Sequence, residues 1–125
     1  MDLQVNLSQE TDFPSGFVVV GTKLSINSKA ILRFENTSNK KIITKARHIL
    51  KINDKEISNS KEYTVFPGLL VVPRDVEKVN ELNTLMNETI KEMDYVIQSI
   101  LEVFLKDGEK VLTDIHRCFF SGYKK

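Results

Sequence analysis

The spacing of apolar residues changes character near Pro73, and that change constrains the fold more than any other feature of the chain. Before Pro73, apolar side chains come in short alternating or continuous runs, the pattern of strands. After it they recur at Val76, Val79, Leu82, Met86, Ile90, Met93, Ile97, Ile100 and Phe104, at spacings of 3, 3, 4, 4, 3, 4, 3 and 4. That is the stripe of an amphipathic helix. The expected fold class is therefore α+β. An antiparallel sheet or small sandwich covers about residues 1–72, followed by a C-terminal helical hairpin: a long helix over about 75–106 and a short one over about 110–121. At 125 residues the whole is one domain, 1–125, large enough to bury a core without disulfides or metals.

Within the first half, Leu3, Val5 and Leu7 alternate with polar residues, and Phe17-Val18-Val19-Val20 is a continuous strand-forming run. Asp12 to Gly16 reads as a turn, Gly21 as a bulge or bend, and Asn27-Ser28-Lys29 as a further turn. Ala30, Leu32 and Phe34 share one face of the next strand, and Lys41 to Lys51 is mostly β-compatible, without a clean alternation. Asn53-Asp54 is the tip of a tight hairpin, and Tyr63 to Phe66 forms the strand before the Pro67-Gly68 turn. In the second half, Asp75 is placed to cap the long helix and Gly108 to end it in a left-handed conformation. The expected core includes Val18, Val20, Leu32, Phe34, Val65, Leu70, Val72, Leu82, Met86, Ile90, Met93, Ile97, Ile100, Phe104, Ile115 and Phe119.

A straight helix over 75–106 would be about 48 Å long at ~1.5 Å per residue, longer than a domain of this size is wide. It must break, for which Asn80, Asn83, Thr84, Asn87 and Thr89 supply poor helix formers, or a partner must cover its overhang. Self-association through this helix is the simplest cover.

Charge is segregated along the chain. The net charge is +1, but residues 36–53 carry Lys40, Lys41, Lys45, Arg47 and Lys51 with no acid, while residues 75–107 carry eight acids against three lysines. On a strand, Lys45 and Arg47 point the same way with Ile43 and Ile49 beside them, a basic patch with apolar edges. Such a patch suits an acidic protein surface, an anionic ligand such as a nucleotide, or nucleic acid. A nucleic-acid site would want aromatics among the cations, and the nearest in sequence are Tyr63 and Phe66.

No motif points to catalysis, so no catalytic residue, metal ligand or cofactor is expected. Gly16 to Lys23 resembles a phosphate loop, but Thr22 precedes Lys23 and the intervening residues are strand formers. His116 and Cys118 stand two apart, on different faces of a helix, so they form no dyad. Cys118 is the sole cysteine, so no intrachain disulfide forms. No run approaches the 18 apolar residues of a spanning helix, and Met1 to Val5 lacks the start of a signal peptide. A cytoplasmic protein with no membrane contact is expected, and the lysine-rich, motif-poor layout suits an accessory protein of bacteria or their phages. The function expected is a non-enzymatic binding or assembly module: an adaptor, an inhibitor or a subunit of a complex. Its contacts would be Lys40, Lys41, Lys45, Arg47 and Lys51 on the sheet with Met93, Ile97, Ile100 and Phe104 on the helix. The alternative is a nucleic-acid or nucleotide binder using Lys45, Arg47 and Lys51.

Overall fold

The computed structural model describes residues 2–67, 75–85 and 89–125, with backbone alone for 75–85. All its regular elements are strands: β1 (Leu3–Asp12), β2 (Gly16–Val19), β3 (Ser25–Asn36), β4 (Ile42–Ile52), β5 (Lys55–Val65), β6 (Asp75–Leu85), β7 (Asp94–Leu105) and β8 (Lys110–Tyr123). They form a three-stranded sheet in the order β1-β3-β6 and a five-stranded sheet in the order β2-β8-β7-β4-β5. Every pairing is antiparallel except β2 with β8.

The expected α+β class and its helical hairpin are thus overturned, because the residues assigned to the hairpin build β6, β7 and β8. The physical reason lies in β7. Eight of the eleven residues 95–105 are Tyr, Val, Ile, Leu or Phe, so a subset falls at helical spacing by default. The strand period fits the same residues: Tyr95, Ile97, Ser99, Leu101 and Val103 alternate along one face, and all five are buried. On its outer face β7 also carries Val96, Ile100 and Phe104, each half-buried, so apolar residues stand on both faces and the strand alternation does not show in the sequence. Gly108 keeps the left-handed conformation expected of it (φ 93°), but in the β7–β8 hairpin rather than at a helix end. No helix among the described residues is long and apolar enough to cross a membrane.

In the first half, the Asn53-Asp54 tip stands as expected, with Asn53 left-handed (φ 49°) and Ile52 paired to Lys55 across it. Asn27-Ser28-Lys29 is not a turn. It lies inside β3, paired to both β1 and β6, with Ser28 pointing into the sandwich.

The two sheets face each other across a core in two lobes. One gathers Leu3, Ala30, Leu32, Phe34, Ala46, Tyr63, Val65, Leu101 and Val103. The other gathers Ile26, Leu50, Ile52, Ile90, Tyr95, Ile97 and Phe120, with Tyr95 stacked on Phe120 at 4.8 Å between ring centres. Of the expected core, Leu32, Phe34, Val65, Ile90 and Ile97 are buried, whereas Met93, Ile115 and Phe119 are exposed. The expectations for Leu70, Val72, Leu82 and Met86 concern side chains outside those described.

The strand order is that of an immunoglobulin-like sandwich, with the N-terminal segment divided between the sheets: β1 joins β3, and β2 crosses to run parallel to β8. The corner tyrosine of such sandwiches has its counterpart in Tyr95, at the start of β7, whose Oη accepts the Lys91 N–H at 2.9 Å. Gly122 is needed beside it. A Cβ there would stand 1.9 Å from the Lys91 carbonyl oxygen, where residues 89–91 cross β8. A fold of this kind supports many functions, so function has to be argued from its surfaces.

Candidate functional site

On β4 the side chains alternate: Thr44, Ala46, His48 and Leu50 face the core, while Lys45 and Arg47 face solvent. The outward residues find partners on both neighbouring strands. In register, Lys45 stands between Glu62 on β5 and Phe104 on β7, and Arg47 stands opposite Glu102. Arg47 binds Glu102 Oε1 through Nη2 at 2.7 Å and Nε at 3.2 Å. Lys110 Nζ takes the other carboxylate oxygen at 2.8 Å. Burial alone would raise the Glu102 carboxyl, but hydrogen bonds and charge from Lys110 and Arg47 outweigh it and hold the group below its ordinary value. Both cations also approach the Phe104 ring, at 5.9 Å for Arg47 Cζ and 6.0 Å for Lys110 Nζ.

Beside this cluster, toward the β7–β8 hairpin, is an open cleft of about 420 Å³. Ile43, Phe104 and Leu105 supply its apolar walls, Lys45, Arg47 and Lys106 its positive charge, and Glu62 its one acid. Among the described residues Lys45 and Lys106 make no ion pair, so both charges are available to an incoming anion. The volume is that of a small-ligand site.

The structure brings together only some of the expected contact residues. Lys45, Arg47 and Phe104 share the cleft. Lys40 and Lys41 are exposed before β4, at a loop shaped by Asn36, whose Nδ2 donates to the Lys40 carbonyl at 2.8 Å. Lys51 leans toward Glu56 at 3.9 Å, two outward positions beyond Arg47. The expected stripe of Met93, Ile97, Ile100 and Phe104 is dismantled by the strand geometry. Ile97 is fully buried in the core, Met93 is exposed ahead of β7, and Ile100 and Phe104 are half-buried on the outer face. The sequence does not single out Lys106, Lys110 and Glu62: Lys106 and Lys110 are placed by the β7–β8 hairpin and Glu62 by the β4–β5 hairpin, and only the β4–β7 pairing brings the two hairpins onto one surface.

A second polar cluster lies between the two core lobes. Gln9 on β1, Ser28 on β3, His48 on β4 and Ser99 on β7 converge from both sheets and are all buried. His48 Nε2 lies 3.0 Å from Ser28 Oγ and 3.1 Å from Ser99 Oγ. Both hydroxyls reach Gln9 Oε1, and Gln9 Nε2 donates to Ser99 O at 3.3 Å and to Asp114 Oδ2 at 3.0 Å. With the hydroxyl protons directed at Gln9, Nε2 is assigned as the protonated nitrogen, and Nδ1 is a bare acceptor without a partner among the described residues. Burial lowers the His48 pKa to about 4, so the ring is neutral near pH 7. The serine–histidine distances are those of a nucleophile and its base. Solvent, however, reaches none of Ser28, Ser99 and His48 (0, 0 and 1% exposed), so a substrate has no approach. The cluster's evident work is to tie the two sheets together.

His116 and Cys118, on a strand rather than a helix, share a face after all, contrary to the sequence expectation. They are engaged separately: Cys118 Sγ donates to the Pro14 carbonyl at 3.1 Å, and His116 Nε2 lies 3.4 Å from Asp114 Oδ2. A scan against protein-family models and a search of curated proteins find no match to this chain.

Proposed function

We propose that the protein is a non-enzymatic binding module that takes an acidic segment of a protein partner into the cleft between Lys45, Phe104 and Lys106. The observation carrying this reading is the cluster of Lys45, Arg47 and Lys106 against a single acid, Glu62, in a cleft with apolar walls, Lys45 and Lys106 making no ion pair among the described residues. A carboxylate there gains charge-assisted bonds from Lys45 and Lys106, and the aliphatic part of its side chain lies against Ile43 and Leu105. Arg47 adds positive charge without being free to move, because Glu102 holds it. Such a site gives selectivity and association rate more than raw affinity, as suits an adaptor, an inhibitor or a subunit of a complex.

A second reading is favoured by one residue. Phe104 supplies beside the cations the aromatic ring that the basic segment itself lacks, and a nucleotide would fit the volume. Fluorescence anisotropy at low salt separates the two, using a labelled glutamate-rich peptide, ATP and a single-stranded oligonucleotide. The peptide is expected to bind, to weaken as salt rises, and to be lost in the double variant Lys45→Glu, Lys106→Glu. Binding of ATP or the oligonucleotide with the peptide inert replaces the first reading by the second, and no binding of any probe removes both.

A further inference from the structure

The other half of the same sheet face carries an uncovered apolar surface. Outward positions alternate along β8 as Ile115, Arg117, Phe119, Ser121 and Tyr123. Phe119 is 61%, Ile115 51% and Tyr123 40% exposed, and on the adjoining β2 Phe17 is 75% exposed, its ring edge-on to Tyr123 at 6.1 Å. Val96 and Ile100 on β7 stand opposite Phe119 and Ile115 in register and are only half-buried. Taking about 200 Å² for each whole side chain, the four exposed residues present roughly 450 Å² of apolar surface.

We propose that this face is a twofold interface between two copies of the chain. The pattern is complementary to itself. Place a twofold axis through Phe119, in the plane between the two faces and perpendicular to β8. The strand of the second copy then runs antiparallel over the first, so Phe119 meets Phe119, Ile115 meets Tyr123 and Arg117 meets Ser121. This operation keeps the lateral order of strands, so β7 lies over β7. Asp94 on β7 is paired in register with Ser121 and accepts its hydroxyl proton. Arg117 of each copy therefore comes within reach of Asp94 of the other, and the one cation in the apolar stripe finds an acid. A twofold axis along β8 would instead set Arg117 against Arg117. The two patches alone bury roughly 900 Å² together, below the ~1,200 Å² at which standard interfaces begin, so the dimer is a weak one that dissociates on dilution.

Sedimentation equilibrium across a range of concentrations tests this, because the mass should rise from 14.3 kDa toward twice that value. Phe119→Glu should hold the protein at 14.3 kDa with an unchanged far-UV CD spectrum, since the ring lies outside the core. Arg117→Asp and Asp94→Arg should each dissociate the dimer, and the two combined should restore it. A wild-type mass fixed at 14.3 kDa, a dimer indifferent to Phe119→Glu, or a combined variant no more associated than either single one overturns the proposal. None of these residues lines the basic cleft, so peptide binding by Phe119→Glu is unaffected whichever way this test falls.

Discussion

Arg47 and Glu102, 55 residues apart, stand opposite each other on β4 and β7 and close an ion pair at 2.7 Å. They come from the two halves of the chain's segregated charge, the basic segment 36–53 and the acidic segment 75–107. The sheet thus neutralises part of that segregation internally, while Lys45 and Lys106 beside it make no ion pair among the described residues. Glu102→Gln removes the acid while keeping its shape. Its side chain is nearly buried but Arg47 is half-exposed, so the expected loss is about 1–2 kcal/mol in a urea titration. The same change should tighten binding of an acidic peptide, because two cations lose their shared counter-charge.

His48 makes stability depend on pH. Its folded pKa is lowered to about 4 from 6.5, so the unfolded chain binds more protons between those values. The contribution is complete above pH 6.5 and is lost as pH falls toward 4, up to about 3 kcal/mol in all. Glu102, also held below its ordinary 4.5, adds stability that persists above that value and fails only at lower pH. Thermal melts from pH 7.5 to 4.5 should show the decline for wild type, and a much flatter profile for His48→Leu. An equal slope in both proteins would locate the effect elsewhere.

The corner at Tyr95 and Gly122 should be sensitive to single atoms. Tyr95→Phe leaves the Lys91 N–H without its acceptor and should cost about 1–3 kcal/mol. Gly122→Ala drives a methyl into the Lys91 carbonyl and should cost about 1–3 kcal/mol, as overpacking does. Hydrogen exchange should place both losses at residues 89–95 first.

Ile97 and Ile100 separate the strand from the helix most cleanly. A helical stripe would bury the two alike. In β7, Ile97 is wholly buried and Ile100 faces outward. Ile97→Ala should therefore cost about 2–5 kcal/mol and Ile100→Ala under about 1. Equal losses in denaturant titrations would contradict the register of β7.

How much of this was legible in the sequence depends on what each strand packs against. β1 and the second half of β3 alternate because one face meets the core and the other does not, and Leu3 to Leu7, Ala30 to Phe34 and the Asn53-Asp54 tip read directly. Asn27-Ser28-Lys29, by contrast, reads as a turn because polar residues continue β3 there, and β4 shows no clean alternation because Ile49 is buried on its outer side. β7 has apolar residues on both faces, with Val96, Ile100 and Phe104 half-buried on the outer one, so its alternation is hidden in an apolar-rich run that satisfies helical spacing as easily. The β8 face was legible as Ile115, Arg117, Phe119, Ser121 and Tyr123 at a period of two, yet the helix assignment put Ile115 and Phe119 in the core. In the cleft, Lys45 and Arg47 could be seen as one outward pair. Phe104 and Glu62 were invisible beside them, because only the β5-β4-β7 pairing sets all of them on one surface.

The binding account is tested most directly by mapping where an acidic peptide lands. In a titration of the ¹⁵N-labelled protein with a glutamate-rich peptide at low salt, the account predicts amide shift changes concentrated at residues 43–47 and 104–108, abolished by Lys45→Glu with Lys106→Glu. Shift changes centred elsewhere, or unaltered by that double variant, would contradict it.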